Sequence, residues 1–229
     1  MRKVKFTDGE YYHIYNRGVD KRDIFLDEGD YLRFLTSMRD FNNNSTHDQR
    51  VYIKNNGEKT ELSSDASELS SVNDLRFFIA SLPNLVDIIC YCFNPNHFHL
   101  LLKQLADIGI EKFMHKLGSG YTNFFNIKYK RSGSLFQGSF KAIEIDSNED
   151  LLWVFAYVNA NAQIHGLTKD AANYKWCSYP EYLGLNTENF CHKNIICEQF
   201  KNKDQFKKFM NDCVITMKEK KELQKYLID

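Results

Sequence analysis

The sequence predicts an α+β protein in which helices pack on an antiparallel sheet. Three observations carry this. β-rich runs alternate with segments of helical period along the chain. Two apolar runs, Val86–Phe93 and His97–Lys103, are joined by Asn94-Pro95-Asn96, a strand–turn–strand pattern. Hydrophobic residues make up 43% and aromatics 14% of 229 residues, enough to pack a core for one domain with appendages and to exclude wholesale disorder.

Each element has its own signal. Tyr11–Asn16 is β-rich and ends at Asn16-Arg17-Gly18, a turn. Glu28–Phe41 reads as a helix because Tyr31, Phe34, Leu35 and Met38 recur at helical spacing. Residues 42–74 change composition to Asn, Ser, Asp and Glu. They read as a flexible polar insertion with a small hairpin around Val51–Ile53 and Asn55-Asn56-Gly57. After the strand pair, Ile110–Tyr129 is the clearest helix, its stripe running through Phe113, Met114, Leu117, Tyr121, Phe124 and Phe125. Leu135–Ile145 reads as extended. Asn148–Gln163 reads as a helix whose acidic first turn, Glu149 and Asp150, suits the helix dipole. From about Asn186 the chain turns Lys-rich and ends in a helix over Lys203–Leu227.

Composition narrows the function. Lys+Arg and Asp+Glu both count 30, so a histone-like polycation is excluded and an anionic partner must be held by a local patch. The longest apolar runs, Leu75–Leu82 and Leu85–Phe93, fall short of the roughly 18–20 residues that span a bilayer. The basic start, Met1 to Lys5, lacks the apolar stretch of a secretory signal. None of the six cysteines forms a C-x-x-C pair, and Cys191-His192 with Cys197 is at most half a zinc site, so reduced thiols of a cytosolic protein are expected.

Two features carry chemistry. In His97-Phe98-His99 the imidazoles leave one face of a strand while Phe98, Leu100 and Leu102 leave the other. Two imidazoles so spaced suit one divalent ion, against the alternative of ordinary half-exposed histidines. The apolar frame and the preceding turn favour the ion. Between Lys112 and Lys141 stand six Lys/Arg (Lys112, Lys116, Lys128, Lys130, Arg131, Lys141) and no Asp or Glu, interleaved with aromatics. Cations for phosphates and rings for unstacked bases suit single-stranded nucleic acid; an ordinary solvated helix face over an aromatic core is the alternative. Gly118-Ser119-Gly120 inside the helix costs roughly 1 kcal/mol per glycine relative to Ala, so something approaches the backbone there or the helix bends. Tyr121 beside them is a candidate nucleophile, although its spacing also suits the core.

Several motifs in order now resemble a known family. They are Tyr12-His13-Ile14-Tyr15-Asn16-Arg17-Gly18, His97-Phe98-His99 after a Pro-Asn turn, Gly120 to Asn126, Arg131 to Lys141, Tyr157-Val158-Asn159 and Tyr174 to Tyr179. Together they look like the single-tyrosine HUH transposases of the IS200-like class, in particular the REP-associated tyrosine transposases. The resemblance covers residues 10–184 apart from the insertion. It implies a ferredoxin-like antiparallel sheet flanked by helices, with a domain over 1–184 and a Lys-rich helical extension over 185–229. It implies a metal-dependent endonuclease and strand transferase that cleaves single-stranded DNA near REP-like hairpins through a 5′-phosphotyrosine. Mg2+ or Mn2+ would sit on His97 and His99, with Tyr121 as the attacking group. A homodimer or a monomer in the cytoplasm, associated with the nucleoid and not with membranes, is expected.

The resemblance also implies a third ligand from the nucleophile helix, one turn after the tyrosine. After Tyr121 that position is Phe125, which cannot ligate. Asn126 follows, rotated about 140° from Tyr121 on an ideal helix, and takes the role of third ligand or phosphate contact if the helix bends. Arg17, Lys128, Arg131 and Lys141 are the candidate DNA contacts. His13 either lines the site or is a satisfied core histidine, and Asn159 and Asn161 either contact bases or cap a helix. A hairpin-binding protein without catalysis is the competing reading. A phosphoesterase of the two-histidine kind ranks low because the chain has no H-x-[ST] motif.

Overall fold

A computed structural model describes residues 4–43, 82–186 and 189–226. Four strands form one sheet: β1 (Tyr11–Arg17), β2 (Val86–Asn94), β3 (His97–Gln104) and β4 (Lys141–Ile145). Their order is β2-β3-β1-β4 and every neighbouring pair is antiparallel. This is the ferredoxin-like order the resemblance implied. The predicted hairpin is β2–β3, turned by Pro95 and Asn96. β4 is shorter than the extended run read from the sequence, because Leu135 and Phe136 leave the sheet to plug the core. No helix among the described residues is long and apolar enough to cross a membrane.

The two faces of the sheet are covered differently. Helices α1 (Glu28–Phe41) and α2 (Gly109–Lys128) lie together on one face. Tyr12, Ile14, Phe98, Leu100 and Leu102 point into it and are buried. Phe34 of α1 meets Phe98 and Phe93 with ring centroids 5.1 Å apart. Burial on this scale, at roughly 25 cal/mol per Å2 of apolar surface, dominates the stability of the domain. Helix α1 starts at a capping box: Asp27 accepts from the Asp30 backbone N–H.

Gly120 explains the glycines of α2 in part. A Cβ there would stand 2.7 Å from the ring of Phe41, so the close approach is that of α1. Around Gly118 there is open space.

The opposite face carries α3 (Asn148–Ile164), which lies over β2 and β3 and leaves the β1–β4 half largely open. Ser147 caps α3 by accepting from the Asp150 backbone N–H, and the acidic first turn is as the sequence predicts. Beyond it come two short helices, α4 (Tyr179–Leu183) and α5 (Asn194–Cys197), and the long α6 (Lys203–Tyr226), which packs along α3. Residues 176–178 run beside the edge of β2, where the Phe93 N–H donates to the Trp176 carbonyl and the Ser178 N–H to the Tyr91 carbonyl. That closing segment shields the edge.

Two boundaries differ from expectation. Asn42 and Asn43, read as the start of the insertion, are buried. The Asn42 amide accepts from the Leu85 and Val86 N–H groups and donates to the Val86 carbonyl, tying the end of α1 to the start of β2. The remainder of the insertion, with its expected hairpin, lies outside the described residues.

Candidate active site

Strand alternation sets the site. In β3, His97 and His99 point away from α1 and α2, towards α3; in β1, His13 and Tyr15 do the same, with Tyr15 directly opposite His99. Helix α3 presents Tyr157 and Asn161, one turn apart, to these rings. The Tyr157 ring stands edge-on to His99 at 5.5 Å and to His13 at 5.9 Å. The His97 and His99 rings are 5.1 Å apart and perpendicular.

Hydrogen bonds orient the groups. Nδ1 of His97 lies 2.6 Å from the Asn96 amide oxygen. An amide oxygen only accepts, so Nδ1 of His97 carries the proton and Nε2 keeps its lone pair. That Nε2 lies 3.2 Å from Oδ1 of Asn161, and Nδ2 of Asn94 donates to both, at 2.8 Å and 2.5 Å. Asn94 and Asn161 are buried, and Nδ2 of Asn161 has no hydrogen-bond partner among the described residues. Nδ1 of His99 lies 2.9 Å from Nε2 of His13.

Burial governs the electrostatics. It pulls His97 below the usual imidazole range and His99 well below it, where the neighbouring His13, His97 and His165 add to the effect. His13 falls to about 4 for the same reason. All three rings are therefore neutral at pH 7, the form that ligates metal. Burial raises the Tyr157 phenol, and the Asn161 side chain offsets part of that.

The donor set is two imidazoles and an amide oxygen. Among the described residues no trio of His, Cys, Asp and Glu side chains is placed to hold a metal, and Asn161 is the amide ligand that stands beside the histidines. The residues present fit a divalent cation. Neighbouring ligands on an octahedral ion with bonds of about 2.1 Å stand about 3 Å apart, close to the separation of His97 Nε2 and Asn161 Oδ1. Asn94 Nδ2 now serves both acceptors, and a cation bound between them would take its place. Beside His97 opens a cavity of about 760 Å3, rimmed by Arg17, Lys21, Lys141, Asn96 and His165.

Several predicted residues are elsewhere. Tyr121 is fully buried on the opposite face, among Phe25, Phe34 and Phe136, and its hydroxyl donates to the Ile24 carbonyl at 2.6 Å. The expectation that it faces the histidines is corrected: its place on the apolar stripe of α2 makes it core. Asn126 is corrected with it, because its amide donates to the Gly133 carbonyl and accepts from Arg131, closing the loop after α2. Lys128, expected on DNA, is bound at 2.7 Å to both Asp27 and the buried Asp30. Arg131 is taken up by Asn126 and the Ser134 carbonyl. His97, His99, Arg17 and Lys141 are brought together. The half zinc site does not assemble: His192 pairs with Asp87 at 3.1 Å, and all six cysteines are free.

Tyr157, Asn161 and His13 are the residues that sequence reasoning did not place. A signal for the first two existed. The spacing of a tyrosine and a ligand one helical turn later fits Tyr157 and Asn161 and also Tyr182 and Asn186, but the helix that carries Tyr182 ends at Leu183; Tyr31, Tyr121 and Tyr179 are followed at that distance by Leu35, Phe125 and Leu183.

Residues 80–161 match the family described as transposase IS200 like, and the matched segment holds both histidines, Tyr157 and Asn161. The fold leads one step further. It is similar to the solved structure of a REP-associated tyrosine transposase bound to a REP hairpin, with a TM-score of 0.53 and 10% identity over 84% of this chain and 97% of that one. No curated protein matches the chain.

Proposed function

We propose that the protein is a metal-dependent endonuclease and strand transferase acting on single-stranded DNA beside a hairpin, with Tyr157 as nucleophile. One observation carries this reading: a half-buried phenol stands on the same face as two neutral imidazoles and a buried amide oxygen. The family match and the hairpin bound by the structural neighbour support the substrate class.

His97, His99 and Asn161 would hold Mg2+ or Mn2+. Bound there, the cation supplies Lewis-acid stabilisation of the charge that builds on the scissile phosphate. Arg17 and Lys141 hold flanking phosphates at the mouth of the cavity. The Tyr157 oxygen forms a bond to phosphorus as the bond to the 3′ oxygen breaks. The phenolic proton leaves to solvent, and the 3′ oxygen takes one up as a free hydroxyl. A 5′-phosphotyrosine results, and a second 3′-hydroxyl attacking it rejoins strands without ATP. Because burial raises the phenol, the rate climbs with pH through neutrality.

The test uses labelled single-stranded hairpin DNA with Mg2+ or Mn2+ on a denaturing gel. A covalent adduct is expected from the wild type and from Tyr121→Phe, and none from Tyr157→Phe. An adduct that survives in Tyr157→Phe sinks the assignment. Binding without adduct in either metal identifies a hairpin-binding protein instead.

A further inference from the structure

His13 is given no role by the mechanism above, yet it is built into the site. It is buried on β1, and its ring packs against Tyr15 at 5.2 Å and Tyr157 at 5.9 Å. Its Nε2 faces Nδ1 of His99 at 2.9 Å. Two nitrogens at that distance share one proton, and the side on which it sits decides what His99 can do. With the proton on His99 Nδ1, the other nitrogen of that ring, Nε2, carries a bare lone pair. With the proton on His13, neutral His99 must carry its own proton on Nε2 and cannot ligate.

The neighbouring histidine shows the pattern. Asn96 accepts from Nδ1 of His97 and so keeps Nε2 of His97 unprotonated, an acceptor for Asn94 that faces Asn161. Metal-ligating histidines generally donate their second N–H to an acceptor that fixes tautomer and ring angle. Here Asn96 serves one ring, and the only side chain hydrogen-bonded to Nδ1 of the other among the described residues is His13.

We propose that His13 is a positioning residue that accepts the Nδ1 proton of His99 and so keeps His99 Nε2 available to a divalent cation. This rests on the reading of His97, His99 and Asn161 as the cation site.

Three variants and three measurements test it. Long-range 1H–15N spectra of the cation-free protein report which nitrogen of His99 is protonated, and Mn2+ binding is followed by electron paramagnetic resonance. His13→Gln keeps an acceptor within reach of His99, and His13→Leu removes it. Wild type and His13→Gln are expected to show Nδ1–H at His99 and Mn2+ affinities within a few-fold of each other. His13→Leu is expected to move the proton to Nε2 and weaken Mn2+ roughly 10- to 100-fold, as loss of an outer partner does. Hairpin DNA affinity in EDTA should be unchanged in both, which also shows that the variants are folded. Wild-type Mn2+ affinity in His13→Leu, or Nε2–H at His99 in the wild type, overturns the proposal. His97→Ala separates the two readings. If it binds Mn2+ like the wild type, or if the wild type binds none, the cation site itself is wrong. If His97→Ala loses Mn2+ while His13→Leu keeps it, only the role of His13 fails.

Discussion

Each face of the sheet holds a buried or half-buried tyrosine on a helix, and the two differ in what surrounds the oxygen. Tyr121 sits among hydrocarbon rings and gives its proton to a backbone carbonyl, so burial lifts its pKa far out of range and nothing nearby can use the anion. Tyr157 lies half-buried beside the His13 and His99 rings, on the face of the sheet where His97 borders an open cavity. The same side chain is core on one face and the proposed nucleophile on the other. What separates them is access and a polar neighbour, which composition does not report.

After Tyr157→Phe, the largest effect expected on the α3 face comes from His97→Ala. Loss of a ligand forfeits several kcal/mol of charge stabilisation, so adduct formation should fall on the order of 10^3-fold. The half-buried ring is not a core element, and the urea midpoint should move little. Normal cleavage by His97→Ala breaks the comparison at its root.

Tyr121→Ala should do the reverse. Emptying a fully buried aromatic site costs about 3–5 kcal/mol of stability, read as a lower urea midpoint, while the folded fraction still forms adduct. Tyr121→Phe removes only the hydrogen bond to Ile24, a net loss of about 1 kcal/mol. A stable Tyr121→Ala variant that forms no adduct would hand chemistry back to the α1–α2 face.

How much of this was legible follows the same division. The strand pair, α1, α2, α3 and the face shared by His97 and His99 were legible because period and alternation are local properties. That α2 and α3 lie on opposite faces was not, because it depends on strand order, and the choice of Tyr121 failed there. Its glycines and basic neighbours suggested a ligand, but Gly120 accommodates Phe41 and Lys128 neutralises Asp30. Both are long-range contacts invisible to a pattern. The pairing of His13 with His99 likewise joins residues far apart in the chain.

Acid should separate the faces next. In the unfolded chain His13 and His99 titrate near 6.5, whereas burial holds His13 near 4 and His99 well down in the fold. Between those values the unfolded state binds more protons, so stability is complete above 6.5 and is lost as pH falls towards 4. Urea midpoints on either side of 6.5 measure this, and a flat profile down to about 4 contradicts the buried neutral pair.

The smallest effect sharpens the contrast through cations rather than tyrosines. Arg17 and Lys128 are each one positive charge, but their surroundings differ. Arg17 is exposed at the cavity beside His97, and among the described residues the side chain hydrogen-bonded to its guanidinium is the neutral Gln137 at 2.5 Å. Lys128 already faces two carboxylates: its ammonium lowers Asp27, and, despite the desolvation that opposes them, Asp27 and Asp30 in turn leave that ammonium raised above its ordinary range. A charge so engaged has little left to release counterions from a phosphate. Arg17→Ala should therefore weaken hairpin binding at every sequence tested and reduce the slope of log affinity against log salt by about 1. Lys128→Ala should leave the slope alone and lower stability instead, because Asp30 would remain buried without its partner. A salt slope that moves with Lys128 and not with Arg17 would put the DNA on the α2 side.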